Sequence, residues 1–371
     1  MKPARVLHVI DSLHLGGAQE VILNIVAGAD PSRFRHEVAT LHGKGIYWDR
    51  LAGLGIPLHS LSPAKQIPLY IPQLEELLRR ERFDILHCHL VASNIIAKPI
   101  GKWCGVPVII NHDHTNDPLR GQHPWLLALD TWANRAANHI VAVSGSCRDF
   151  LIAREGIKPS DITLILNAID VQKFSPGAAD RDSARREFGL DFDEPVIAGV
   201  GRLNAQKNFS LFLKIAAKIV EIDPRVRFLI AGTGPEERAL EAEAASLGIT
   251  QNVQFLGYVS DTRRVYAAAD ILLMTSHFEG LPMTLLEAMA METPVVASRL
   301  DGMAEVIEEG RDGFLVNPGD VLAFSGRIHE LLNDRAMAAR IGSAARGKIE
   351  TRFSASRMVG EIEAVYTRFL P

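Results

Sequence analysis

The sequence is poor in the features that would tie it to a disulfide framework, a nucleic acid or a membrane interior. It has three cysteines, Cys88, Cys104 and Cys147, odd in number and without the close pairing of a metal site. They read as reduced thiols. Charge of one sign is also scarce: 40 Lys and Arg against 44 Asp and Glu leave a net charge of -4 with no strong basic block. Nucleic acid is therefore not an expected partner. No run approaches the ~18 apolar residues of a transmembrane helix. The opening MKPARVLHVIDS has only about five apolar residues before Asp11, too few for a signal-peptide core. A cytoplasmic protein is expected.

What the chain does have is length and apolar content. Its 371 residues exceed what one core organises, and 47% of them are hydrophobic, so two domains are expected. Short apolar runs alternate with amphipathic stretches throughout, the pattern of parallel strands joined by crossover helices. Strands are predicted at 6–10, 37–41, 84–89, 106–111, 139–144 and 162–166, with helices such as 19–26 and 73–80 between them. Residues 170–194 break the rhythm and read as a linker around one short helix. It restarts with strands predicted at 195–201, 226–232, 253–257, 270–275, 294–298 and 313–316. The fold class is α/β: two doubly wound, Rossmann-like domains with parallel sheets facing across a cleft, their ligands beyond the carboxyl ends of the strands. The boundaries fall at 1–174 and 175–353, followed by an amphipathic segment within 354–371.

The densest chemistry lies in Thr275 to Ala290, TSHFEGLPMTLLEAMA. A strand leads into a turn carrying Glu279, and a helix carrying Glu287 follows, with Pro282 expected in its first turn. Eight helical steps would separate the two backbones by roughly 12 Å. That exceeds the about 5–5.5 Å of a retaining glycosidase pair, but it suits two ends of one polyhydroxylated ligand. The N–H groups of Gly280, Leu281 and Met283 suit an anion or a sugar oxygen. After the first strand of the second half, Gly201-Arg202-Leu203-Asn204-Ala205-Gln206-Lys207-Asn208 offers a planar guanidinium and a point charge, complementary ways to hold phosphate. The first strand ends in His14-Leu15-Gly16-Gly17, adjacent glycines at a helix start, without the GxGxxG of a dinucleotide fold. His87 and His89, and His112 and His114, are pairs two apart, each sharing one strand face. The first pair reads most simply as buried and hydrogen-bonded; the second is read as lying past its strand.

The run E279-G-L-P-M-T-L-L-E287-A-M-A resembles the signature of family 4 glycosyltransferases, and GRLxxxKN at 201–208 resembles the same family's diphosphate loop. Weaker matches follow in family order, including Tyr266 to Asp270 and Phe255-Leu256-Gly257. Ala168 stands where Gly usually follows Asn167, and Asp301-Gly302 stands where a GG pair is common. The resemblance implies a GT-B fold whose last helix returns to the first domain. It implies a retaining, metal-independent transferase moving a sugar from a UDP- or GDP-sugar to a saccharide or lipid-linked acceptor. No cofactor is needed and no metal ligands are assigned. A lipid-linked acceptor would bring peripheral membrane contact at the inner face.

The catalytic residues implied are Glu279, Arg202, Lys207 and a histidine contacting the sugar. His112 is preferred because a His-Asp pair is common there, and His114 is the alternative; simple counting puts Asp113 in register rather than either. Donor contacts would come from Gly16, Gly17, Gly257, Phe278, Gly280, Leu281, Pro282 and Glu287 as well as Arg202, Lys207 and Glu279. Acceptor-side candidates are His14, His89, His114 and residues 115–125. A polysaccharide, lipopolysaccharide or glycolipid pathway is expected from the family's range. Two rivals are a nucleotide-sugar epimerase of related architecture, which would need no acceptor, and a solute-binding protein with two α/β lobes, which would carry an export signal.

Overall fold

In the computed structural model, which describes residues 2–14, 16–61, 70–114 and 123–370, the short apolar runs become two all-parallel sheets. The first contains β1 (Ala4–Ile10), β2 (Phe34–Thr40), β3 (Leu58–Ser60), β4 (Ile85–His89), β5 (Val108–Asp113), β6 (His139–Ala142) and β7 (Ile162–Leu164). Its order is β3-β2-β1-β4-β5-β6-β7. The second contains β8 (Val196–Val200), β9 (Arg227–Ala231), β10 (Val253–Gly257), β11 (Ile271–Met274), β12 (Val295–Ser298) and β13 (Phe314–Val316), ordered β10-β9-β8-β11-β12-β13. Winding therefore reverses between β1 and β4, and again between β8 and β11. In doubly wound sheets such reversals open a crevice at the carboxyl ends of the two strands.

Residues 1–168 with 355–371 form one compact unit, and residues 169–354 form the other. The helix Ala355–Phe369 belongs to the first unit, where it packs on the helix Gly17–Gly28. Met358, Val359, Ile362, Val365 and Tyr366 are its buried stripe. Burying each such side chain contributes roughly 1.5–3 kcal/mol. Glu363 pins the helix further, accepting from the Asp30 amide at 2.8 Å and from Arg33 at 2.9 Å.

Four sequence expectations are corrected. The edge strand β3 has only three half-buried residues, too few for an apolar run to announce it. The strand expected at 106–111 continues as Val108–Asp113, so His112 and Asp113 lie inside the sheet rather than past it. Pro282 precedes the helix Met283–Ala290 with an extended ψ of 132° instead of occupying its first turn.

Residues 170–194 are also more than a linker. Phe174, Leu190 and Arg185 are buried in the second unit. The Arg185 guanidinium donates to the carbonyls of Ala268, Asp191, Phe192 and Glu194 and to Asp270 Oδ2, at 2.8–3.1 Å. One polar side chain thus organises a segment that lacks apolar periodicity.

Candidate functional site

At the crevice between β8 and β11, two loops are laced together. Asn208 takes a left-handed φ of 51° and caps the helix Phe209–Ile222 by accepting from the Leu211 amide. Thr275, just past β11, donates through Oγ1 to the carbonyls of Asn208 at 2.9 Å and Lys207 at 3.2 Å. The His277 amide donates to the Gln206 carbonyl at 2.8 Å, and Gln206 Nε2 donates to the Phe278 carbonyl at 3.1 Å. These bonds fix the order in which charged groups leave the strand ends.

Lys207 Nζ reaches Glu279 Oε1 at 2.6 Å, and Ser276 Oγ donates to the same oxygen at 2.7 Å. Glu279 is only 6% exposed. Among the described residues, Oε2 has no hydrogen bond, so it is the oxygen available to a ligand hydroxyl. A buried carboxylate of this kind needs its cation, because removing one partner of a buried pair leaves the other charge uncompensated.

Glu287 sits on the helix Met283–Ala290, where its Oε2 accepts from Tyr266 at 2.8 Å and from Thr262 Oγ1 at 3.3 Å. Burial, reinforced by the adjacent Glu287 charge, holds the Tyr266 phenol well above its ordinary range. It therefore stays protonated and donates. Arg202, two residues past β8, is exposed, whereas Gly280, Leu281 and Pro282 are buried and Phe278 is half-buried.

Backbone approaches close the site. A Cβ on Gly302 would lie 1.7 Å from the Gly280 carbonyl oxygen, so the helix Asp301–Ala304 presses directly on the glutamate loop. Gly232 has φ +147°, and a Cβ there would meet the Gly201 carbonyl at 1.8 Å. Its amide donates to the carbonyl of Gly257, the remaining donor-side candidate, at 2.8 Å.

The first unit places its candidates differently. His14 is exposed beyond β1, Gly16 is the extended N-cap of the helix Gly17–Gly28, and Leu15 lies outside the described residues. Of the acceptor-side stretch 115–125, residues 115–122 also lie outside them. His112 is buried in register with His89 and stacks on His87 with ring centroids 5.1 Å apart.

His89 has no exposed surface and bonds His8 at 3.0 Å and His114 at 2.9 Å, so it is a core residue here. Sequence reasoning missed Ser276, Thr262 and Tyr266 as partners of the two glutamates, and Gln206 as the brace of the Phe278 carbonyl. Tyr266 stood within a matched stretch, but its role needed the fold to bring the helix Arg263–Ala268 beside Glu287.

The two doubly wound parallel sheets define the GT-B class. Anabaena HepE, solved in complex with UDP-glucose, has the same fold at TM-score 0.89 and 22% identity, covering 98% of this chain and 99% of its own. Sucrose-phosphate synthase from Thermosynechococcus elongatus superposes at TM-score 0.81 and 18% identity, covering 98% of each chain. Residues 15–173 match Glycosyltransferase Family 4, and residues 180–348 match Glycosyl transferases group 1. The chain belongs to the family 4 glycosyltransferases.

Among its relatives is the UDP-Gal:alpha-D-GlcNAc-diphosphoundecaprenol alpha-1,3-galactosyltransferase of Escherichia coli, 25% identical over 79% of this chain and 77% of the relative. Another is the N-acetyl-alpha-D-glucosaminyl L-malate synthase of Bacillus anthracis, 27% identical over the same shares. No described helix is long and apolar enough to cross a membrane.

Proposed function

We propose that the chain transfers a sugar from a nucleotide diphosphate donor, UDP- or GDP-linked, to an acceptor hydroxyl with retention of anomeric configuration. The observation that carries this reading is the pair of buried glutamates at the β8/β11 crevice. Glu279 is polarised by Lys207 and Ser276, and Glu287 is anchored by Tyr266.

Glu287 would accept from the ribose hydroxyls and Glu279 Oε2 from the transferred sugar. Arg202, Lys207 and the first amides of the helix Met283–Ala290 would meet the charge growing on the leaving diphosphate, preorganised electrostatic stabilisation. We assign that charge to these groups and not to a divalent ion.

In the reaction, the bond from C1 to the donor phosphate oxygen breaks while the acceptor oxygen bonds C1 on the same face. The acceptor proton passes to the departing phosphate, so no side chain serves as base. The names of the E. coli relative and of the HepE complex support a UDP-sugar.

The acceptor we favour is lipid-linked. Trp125, Leu129 and Trp132 recur at i, i+4 and i+7 of the helix Pro124–Asn134 and are 64%, 43% and 54% exposed. Such a stripe, rich in Trp, suits the bilayer interface. Replacing both tryptophans with Ser should abolish cosedimentation with anionic vesicles and leave nucleotide binding intact; unchanged cosedimentation would rule out this face.

The donor assignment is tested by thermal shift with UDP, GDP, ADP and CMP, each with and without EDTA. A nucleotide at about a hundred times its dissociation constant stabilises the fold by roughly 2.7 kcal/mol. UDP or GDP should raise the melting temperature in either condition, and Lys207→Ala should lose the shift. A shift that vanishes in EDTA, or that persists in Lys207→Ala, would sink the assignment.

A further inference from the structure

Five histidines from four adjacent strands, His8, His36, His87, His89 and His112, are buried together in the first unit, with the half-buried His114 just past β5. His8 of β1 is the register partner of His87 on β4, and His89 follows two residues on, so the three side chains share one face of the sheet. One nitrogen of each of the three lies within 4.8 Å of the others.

His8 Nδ1 and His89 Nε2 are 3.0 Å apart. His87 Nε2, in a ring with no exposed surface, has no hydrogen-bond partner among the described residues. An orphaned buried ring nitrogen costs about 1–3 kcal/mol and calls for a ligand.

The opposite nitrogen of each ring is held. His8 Nε2 meets His36 Nδ1 at 2.8 Å, His87 Nδ1 meets the Tyr366 hydroxyl at 2.6 Å, and His89 Nδ1 meets His114 Nε2 at 2.9 Å. Rings that ligate metals are oriented by just such outer contacts on the far nitrogen.

We propose that His8 Nδ1, His87 Nε2 and His89 Nε2 bind a first-row divalent transition-metal ion of the zinc class, with His36, Tyr366 and His114 orienting the three rings. Imidazole suits such ions. With bonds of about 2.0–2.1 Å, tetrahedral ligand nitrogens stand roughly 3.3 Å apart, so the ion takes the place of the proton between His8 and His89 after a small opening.

Burial keeps all three rings neutral, the form that donates a lone pair. A second group, His89, His112 and His114, shares one member. The first is preferred because each of its rings is wholly buried and each has its outer partner. The ion's role is structural, since it ties β1 and β4 to the C-terminal helix through Tyr366.

The test uses the full-length chain without a polyhistidine tag, stripped with a chelator and titrated with Zn2+ and Co2+. Expected are one ion per chain, a visible Co2+ absorption of tetrahedral type and a rise in melting temperature. His87→Gln should lose all three, and the exposed-site control His329→Gln should keep them. X-ray absorption of the zinc-loaded wild type, which does not depend on any variant folding, should show three imidazole nitrogens at the distance above. Absence of stoichiometric binding, fewer than three imidazoles, or binding retained by folded His87→Gln would each overturn the proposal.

Discussion

In the second unit, Ile197, Phe228 and Ile230 of the sheet pack with Phe212 and Phe324 from its helices, and the charged groups of interest sit past the strand ends. In the first unit, one face of an equally parallel sheet carries His8, His36, His87, His89 and His112, met by Tyr366 of the C-terminal helix. One architecture thus holds an apolar interior in one unit and a titratable interior in the other. Neutral imidazoles fill space as phenylalanines do, but their neutrality has to be maintained against protons. The two units should therefore share a fold and differ in their response to solution conditions.

Acid separates them most strongly. Burial lowers His36 to about 4 and His114 to about 3, and burial with neighbouring histidines puts His8, His87, His89 and His112 well below the ordinary value. The unfolded chain takes up these protons near pH 6.5, before the folded one does. Their contribution is therefore intact above pH 6.5 and is lost as pH falls toward the folded values.

Each such histidine removes about 1.4 kcal/mol per pH unit within that window, so several together exceed a typical domain's stability. All four tryptophans, Trp48, Trp103, Trp125 and Trp132, lie in the first unit and report on it alone. With chelator present, the tryptophan-monitored transition should collapse between pH 7.5 and 5 while amide protection of residues 196–316 persists. Simultaneous loss in both units would erase the contrast.

The converse experiment removes the second unit's polar hub. Arg185→Ala strips five hydrogen bonds, four of them to carbonyls, and should destabilise that unit by on the order of 3 kcal/mol. Exchange-detected opening of residues 169–354 should show it, with the tryptophan transition unmoved. A loss below about 1 kcal/mol would mean that residues 170–194 are only loosely attached.

Glu279→Ala tests function instead of stability. It should lower transfer by on the order of 10²–10³, the scale of one preorganised electrostatic contact, leave the first unit's tryptophan transition near wild type, and weaken the second unit only through the partners it releases, Lys207 and Ser276. Transfer at the normal rate would remove Glu279 from the site.

How much of this could be read from residues alone depends on the kind of interaction. Strands such as β8 and β11 were legible because a parallel strand buried on both faces is a bare apolar run. Glu279, Glu287 and Lys207 were legible chiefly through the family resemblance of EGLPMTLLEAMA and GRLxxxKN, because spacing alone equally fits solvated surface charges.

The bonds that set the state of those groups were not. Tyr266 lies 21 residues from Glu287, and Lys207 lies 72 from Glu279. The histidine cluster is the extreme case, since His87 and Tyr366 are 279 residues apart. Strand periodicity could give each pair one face, but only the order β2-β1-β4-β5 brings the pairs together. Arg185 escaped for a related reason, because a buried guanidinium leaves no apolar signature.

The smallest effect probes the link between the first unit's polar interior and its last helix. Tyr366→Phe keeps the ring against Phe34, at a centroid distance of 5.3 Å, and deletes only the hydroxyl that meets His87 Nδ1. His87 would then have both ring nitrogens unpartnered in a site with no exposed surface. The loss should be about 1–2 kcal/mol, read from chelator-treated, tryptophan-monitored denaturation at pH 7.5. In Tyr366→Phe combined with His87→Gln the two losses should fall short of adding, because both remove the same bond. If the single change costs only a few tenths of a kcal/mol and the pair is additive, the tyrosine hydroxyl does not hold His87. The C-terminal helix would then be fixed by its apolar stripe and the Glu363 bonds, without help from the histidine cluster.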